Sequence, residues 1–167
     1  MSKQSISIRV PANILAEIER YQAERDIEDQ LGVAMQHLEH ERLDNDAHLY
    51  RVDLDDFAHR FTYPAPGKTT GNLHDRKVEE TGDPVITIGY GPDFAVLRSD
   101  GVRLDIPEMV SELNEELPGA GVSGGGHLVV GSIKFVKGRR ESVIDLLVEK
   151  MAEADLDESL SSAAPVE

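Results

Sequence analysis

The sequence contains no cysteine, and no apolar run approaches the roughly 20 residues that a membrane-spanning helix needs. Disulfides, zinc–thiolate sites and thiol nucleophiles are therefore excluded. The opening residues 1–4 lead into no signal-like apolar segment, so we expect a cytoplasmic protein that does not enter a membrane. The 167 residues suffice for one domain with a hydrophobic core, or for one compact domain with an N-terminal appendage.

Lysine is also scarce, with six residues, and 32 acidic side chains against 17 Lys plus Arg give a formal net charge of −15. The acidic residues are spread along the chain and do not form one tail. Such a surface stays hydrated in concentrated salt, so the composition favours adaptation to high salt over an ordinary acidic protein. Strong acidity usually argues against a nucleic-acid partner, because binding depends on neutralising phosphates. At molar salt, however, distant charges are screened and only local basic groups matter.

Residues 4–42 have the pattern of a strand followed by two helices. Apolar residues alternate over 5–10, and they then recur at helical spacing on both sides of a break near Asp26. This order resembles ribbon-helix-helix DNA-binding proteins, which insert a β-ribbon into the major groove. The outward strand positions hold one arginine and two serines, which is a sparse surface for reading bases. The alternative is a strand and helical hairpin packed on the main domain.

The remainder of the chain has an α/β pattern after a long connection over 62–84 that is rich in Pro, Gly and Thr. The patterns predict strands over 49–54, 85–90, 94–97, 102–106 and 128–136, and helices over 107–117 and 141–151. We therefore expect an α/β fold with a mixed β-sheet flanked by helices and a helical N-terminal segment. The expected divisions are an N-terminal segment 1–42, a connector 43–83, a main domain 84–155 and a flexible tail 156–167.

Three partial motifs fail on their context. Residues 67–69 (GKT) lack the P-loop glycine five positions earlier, where Thr62 stands, and no apolar strand precedes them. Residues 119–124 match GxGxxG, but a helix is predicted before them and a strand after them, the reverse of a dinucleotide-binding turn. The acidic run 53–56 lacks the Gly and Glu of a calcium loop. We predict no metal site in this chain.

The most informative local sequence is GGGH at residues 124–127, whose glycines end a glycine-rich loop predicted over 119–126. Three glycines let a backbone approach a ligand closely and direct several N–H groups at an anion, and a histidine can donate to a phosphate oxygen. An arginine at the end of a predicted strand and a cluster of four cations over 134–140 favour the same ligand. The alternatives are a flexible hairpin with an incidental histidine and an ordinary strand-to-helix turn. The predicted phosphate-binding residues are Arg98, Ser99, Gly124, Gly125, Gly126, His127 and Lys134.

The segments FAVLRSDG (94–101) and GGGHLVVGSIKF (124–135), separated by a predicted helix, resemble the C-terminal domain of DHH-family (RecJ-like) phosphoesterases. The resemblance covers roughly residues 84–155, and the TYPAPGKTTGNLHD stretch is similar to the connector ahead of this domain in archaeal members. The family includes single-strand exonucleases and oligoribonucleases that degrade very short RNA. The resemblance implies that Arg98 and the 124–127 segment hold a substrate phosphate near the scissile bond.

In that family a separate DHH half binds two divalent ions, usually manganese, through Asp and His. This chain has no Asp-His-His triplet, and His74-Asp75 lacks the second histidine. The small residues common two to three places after the GGGH histidine are replaced by Val129 and Val130, which leaves the exact substrate open. The resemblance therefore implies a substrate-holding part with no catalytic residues and no cofactor, manganese being expected only with a catalytic DHH half.

The sequence thus predicts binding of single-stranded DNA or RNA, or of a short oligonucleotide. The chain would act as part of a longer enzyme or with a separate catalytic DHH subunit. Two alternatives stay open. One is a DNA-binding regulator that uses residues 4–42, and the other is a scaffold whose partners are replication proteins.

Overall fold

The computed structural model describes residues 11–55 and 66–161. In chain order the elements are α1 (Ala12–Gln36), β1 (Glu39–Arg42), β2 (His48–Asp53), α2 (Pro66–Thr81), β3 (Val85–Tyr90), β4 (Phe94–Asp100), α3 (Ile106–Glu116), β5 (Ser123–Gly126), β6 (Val130–Lys134) and α4 (Arg140–Ala152). The strand expected over 5–10 lies outside the described residues. The strands expected over 49–54, 85–90, 94–97 and 128–136 are present as β2, β3, β4 and a shorter β6.

The strands form one mixed sheet in the order β1-β2-β3-β4-β6-β5. Only β2 and β3 are parallel among these neighbours, and α2 is the crossover between them; every other pairing is antiparallel. A parallel pair needs such a crossover, whereas antiparallel neighbours can be joined by short turns. The predicted α/β class, with a mixed sheet and a helical N-terminal segment, is confirmed.

Helices cover both faces of the sheet. The main core joins α3 and α4 to one face, through residues that include Leu49, Ile86 and Leu97. A smaller cluster on the opposite face contains residues of α1, β2 and α2, and we call this face the α2 face. Successive side chains of a strand point to opposite faces. Since Leu97 faces the main core, Val96 and Arg98 of β4 face α2.

The N-terminal helix is continuous from Ala12 to Gln36, so the predicted break near Asp26 is wrong. Residues 22–30 contain no glycine or proline, and a loss of apolar periodicity does not interrupt a helix built from good helix formers. The C-terminal part of α1 is buried at Leu31 and Ala34. Residues 12–22, in contrast, are exposed along their whole length.

The connection predicted over 62–84 contains a 16-residue helix, α2, which packs on β3 and β4. Its glycine, threonine and asparagine residues have low helix propensity, and tertiary packing overrides that preference. The buried side of the helix holds Thr69, Thr70, Leu73 and His74.

The segment after β4 is a second difference from the expected pattern. Instead of a strand over 102–106, Val102 forms a single bridge with Leu156, and α3 begins after Asp105, whose side chain accepts from the Glu108 N–H. Gly101 donates to the Leu160 carbonyl and accepts from the Asp157 N–H, both at 2.8 Å, so residues 156–160 are hydrogen-bonded to this turn. No helix in the described ranges is long and apolar enough to cross a membrane.

Candidate functional site

A cavity of about 520 Å³ lies on the α2 face, where the sheet extends beyond the start of α2. Residues 94, 96 and 98 of β4 pair with residues 134, 132 and 130 of β6, so these side chains share one face. The lining is Pro66, Gly67, Phe94, Val96, Arg98, Gly125, Gly126, His127, Val130, Gly131, Ser132 and Lys134. Five of the predicted site residues, Arg98, Gly125, Gly126, His127 and Lys134, therefore meet at one cavity.

Arg98 is the half-buried cation of this cavity. Its Nε is buried and has no hydrogen-bond partner within the described residues. A buried donor without an acceptor costs about 1–3 kcal/mol, and more when the group is charged. An anion that entered the cavity and accepted from this guanidinium would remove that cost.

Asp100, the next residue of β4 on the same face, takes part in a separate hydrogen-bond network. Its Oδ1 accepts from His74 Nε2 at 2.8 Å, and its Oδ2 accepts from the Ser161 hydroxyl at 2.8 Å. His74 is fully buried, and its Nδ1 lies 2.7 Å from the Thr87 hydroxyl. Burial lowers the pKa of His74 below its ordinary value; the neighbouring Arg98 acts in the same direction and Asp100 opposes it. A neutral His74 therefore adds no positive charge beside Arg98.

The three glycines of GGGH form strand β5 at the edge of the sheet, so the predicted glycine-rich loop is wrong at residues 123–126. The turn into β6 is closed by a hydrogen bond from the His127 N–H to the Val130 carbonyl at 2.7 Å. Hydrogen-bonded pairs alternate along antiparallel strands, so Gly125 faces Ser132 in the next such pair and the N–H groups of Gly124 and Gly126 point to the open edge. Successive N–H groups diverge here and do not converge on one anion.

The three glycines differ in what surrounds them. A Cβ on Gly124, whose φ is +143°, would lie 2.2 Å from the Ser132 carbonyl oxygen, and a Cβ on Gly126 would lie 2.2 Å from the Val130 carbonyl oxygen. A Cβ on Gly125 would meet nothing within 4 Å. The close approach of β6 thus requires glycine at the first and third positions, while the second position opens towards the cavity.

Two of the predicted residues are not in the cavity lining. Ser99 is fully buried on the other face of β4, where its hydroxyl donates to the Val102 carbonyl at 2.7 Å. Gly124 precedes the lining residues of β5.

Of the four cations in the cluster expected over 134–140, only Lys134 lines the cavity. Arg140 lies 3.3 Å from the Asp53 carboxylate and 5.4 Å from the centre of the Tyr90 ring. Arg140 therefore connects α4 to β2 and β3.

The apolar wall of the cavity and the contribution of α2 to its lining were not predicted from the sequence. Phe94 and Val96 alternate with buried residues of β4, so the period-two pattern of FAVLR already places them beside Arg98. Pro66 and Gly67 begin α2, which the composition did not predict as a helix. Within residues 11–55 and 66–161, no group of three or more His, Asp or Glu is placed to hold a metal ion. These described residues therefore offer no ligand set for the manganese pair of the DHH half.

No family model matches the chain. An uncharacterized protein of Methanocaldococcus jannaschii is 43% identical over 135 residues, which cover 77% of this chain and 18% of that protein. Among solved structures, the DHH domain of a member of a ribosomal protein family is similar with a TM-score of 0.76 and 34% identity, over 85% of this chain and 34% of that chain. The chain thus spans a small part of the length of these relatives.

RecJ from Thermus thermophilus, solved in complex with Mg²⁺, is similar with a TM-score of 0.50 and 15% identity, over 84% of this chain and 20% of that chain. At that identity the similarity concerns the fold. These relatives confirm the resemblance that the sequence predicts: over most of its length, the chain is similar to one part of the DHH-family, RecJ-like proteins.

Proposed function

We propose that this chain binds single-stranded nucleic acid or a short oligonucleotide, with one phosphate held by Arg98 in the cavity between β4, β6 and the start of α2. The observation that carries the proposal is the buried Nε of Arg98, which has no hydrogen-bond partner among residues 11–55 and 66–161. His127 and Lys134 line the same cavity, where Lys134 adds a positive charge and His127 a ring N–H donor near the proposed phosphate.

The remaining chemistry of the cavity fits a nucleotide. Phe94, Val96, Val130 and Pro66 supply apolar surface beside the cations. A nucleotide combines an apolar, stackable base with an anionic phosphate, and such sites usually pair an apolar wall with a few polar groups. The formal charge of −15 disfavours binding through the general surface, so this local cluster of cations would supply the attraction.

In the proposed role this part of the protein holds the substrate and does no chemistry alone. A DHH half, in a longer chain or in a separate subunit, would supply the manganese ions and the hydrolysis. We further propose a cytoplasmic location and an adaptation to high salt. Arg98 would fix the phosphate, while His127 and Lys134 would contact the neighbouring backbone.

The test is a titration of short single-stranded DNA and RNA against the wild type, Arg98→Ala and His127→Ala, with Arg103→Ala as the matched control. Arg103 is exposed and lies away from the cavity. We expect Arg98→Ala to weaken binding about ten- to a hundredfold, as for a lost charge-assisted contact, with a smaller loss in His127→Ala and none in Arg103→Ala. Manganese added to the same samples should give no cleavage.

Absence of binding by the wild type would contradict the proposal and would favour a scaffold that retains only protein contacts. Preferential binding of duplex DNA would instead favour the regulator. The regulator depends on residues 4–42, where α1 is one helix and not the two that a ribbon-helix-helix plan requires. We therefore do not propose it as a second function.

A further inference from the structure

We infer that Gly71 is a positioning residue: the backbone of α2 at Gly71 is the surface on which the Arg98 guanidinium lies, and it holds that group in the orientation that an anion in the cavity requires. The inference rests on the proposed function, because it names how the phosphate-binding arginine is oriented. Gly71 does not line the cavity and would not touch a ligand.

The distances describe a flat contact. A Cβ built on Gly71 would lie 3.2 Å from Arg98 Nη2, 3.4 Å from Cζ and 3.7 Å from Nε. The three guanidinium atoms are thus at similar distances from one point on the helix, as expected for a planar group lying against it. A methyl group at residue 71 would meet Nη2 slightly inside ordinary van der Waals distance, so the guanidinium would have to move by a few tenths of an ångström.

Glycine at this position is otherwise unfavourable for helix stability. Gly71 lies in the interior of α2, where glycine is among the worst helix formers and alanine the best. No backbone requirement explains it, since Gly71 is not among the residues with positive φ. Contact with Arg98 is the feature that separates it from Gly32 of α1, where a Cβ would meet nothing within 4 Å.

The flat contact has a chemical consequence. When one face of a guanidinium is covered, its N–H groups still point outward in the plane of the group, and these are the donors that form paired hydrogen bonds to a phosphate. Alanine at residue 71 would displace the guanidinium by a few tenths of an ångström, and a larger side chain would displace it further and rotate these donors. Lysine at position 98 has no planar group, so it would not depend on Gly71.

The experiment compares Gly71→Ala and Gly71→Val with Gly32→Ala and Gly32→Val, each in the wild-type and the Arg98→Lys background. Affinity for a short single-stranded oligonucleotide and the thermal midpoint are measured for every variant. We expect Gly71→Ala to weaken binding about fivefold and Gly71→Val to weaken it further, without loss of fold, because a small displacement of a bound donor has effects of this order. The Gly32 variants should bind as the wild type does. In the Arg98→Lys background, Gly71→Ala should have no further effect.

A second measurement does not depend on the ligand. Hydrogen exchange of the Arg98 Nε–H, followed by NMR, should be slow in the wild type and in Gly32→Ala, and faster in Gly71→Ala, where the group is lifted from the helix. If the wild type binds and Gly71→Ala binds equally well, the inference is overturned while the proposed function stands. If the wild type binds nothing, the proposed function fails, and an unchanged exchange rate in Gly71→Ala would overturn the inference separately.

Discussion

His74 of α2 and Asp100 of β4 form a partly buried hydrogen bond, with 2.8 Å between the imidazole Nε2 and the carboxylate Oδ1. On its other side the ring accepts from the Thr87 hydroxyl, with 2.7 Å between Nδ1 and Oγ1. The imidazole thereby connects the helix to two neighbouring strands behind Arg98. Both ring nitrogens are satisfied by the neutral tautomer that carries its proton on Nε2.

This pair predicts a loss of stability at mildly acidic pH. Burial lowers the pKa of His74 in the folded state, so below pH 6.5 the unfolded chain binds a proton that the folded chain resists. The free energy of unfolding should therefore fall as the pH decreases from 6.5, by at most about 1.4 kcal/mol per pH unit from this group. Urea unfolding at a series of pH values measures it.

His74→Gln is the control for that titration. It should cost about 1–3 kcal/mol at pH 8, because Asp100 and Thr87 lose a buried partner. The difference between wild type and variant should shrink as the pH falls below 6.5, since the variant has no imidazole to protonate. A difference that stays constant down to pH 5 would show that His74 does not titrate as proposed.

The three glycines of β5 predict two different outcomes. Gly124→Ala and Gly126→Ala should each destabilise the fold by about 1–3 kcal/mol, because their Cβ atoms would lie 2.2 Å from carbonyl oxygens of β6. Gly125→Ala should leave the thermal midpoint nearly unchanged, because its Cβ would meet nothing within 4 Å. It should nevertheless weaken oligonucleotide binding, because Gly125 lines the cavity. Equal thermal losses in all three variants would contradict this division.

The GGGH sequence pointed to three residues that line the cavity, but it did not indicate that its glycines form a strand. The sequence placed Arg98 at the end of one predicted strand and Lys134 within another, and the structure has them in β4 and β6. The sequence did not reveal that β6 pairs with the glycines, because glycine has a low strand propensity and gives no alternating pattern. The same holds for α2, whose helix depends on packing against β3 and β4 more than on its own residues.

Ser99 illustrates the remaining error in the predicted site. Ser99 is adjacent to Arg98 in sequence, but adjacent residues of a strand face opposite sides of the sheet. Its hydroxyl satisfies the Val102 carbonyl in the core. The alternation of side chains along β4 places Val96, and not Ser99, on the same face as Arg98.

Asn114 of α3 binds the backbone just before β5 and so helps to hold this strand at the edge of the sheet. Its side chain donates to the Val122 carbonyl at 2.7 Å and accepts from the Val122 N–H at 2.9 Å, just before β5 begins. Asn114→Ala should cost about 1–3 kcal/mol, because it leaves both backbone groups of a buried residue unpaired. Asn72→Ala on α2, which removes one exposed hydrogen bond, should change the free energy of unfolding by less than about 0.5 kcal/mol. Similar losses in the two variants would contradict a special role for Asn114.

The position of Lys134 in the cavity lining predicts how nucleic-acid binding depends on salt concentration. For single strands, the logarithm of the affinity falls with the logarithm of the salt concentration with a slope of roughly −0.7 for each neutralised phosphate. Lys134 lines the cavity and Lys137, three residues later, does not. Lys134→Ala should therefore make the slope shallower by about 0.7, whereas Lys137→Ala should leave it unchanged. The two variants have the same net charge, so an equal change in both would show that the general field of the protein, and not contact at the cavity, attracts the strand. Titrations at four or more salt concentrations distinguish these outcomes.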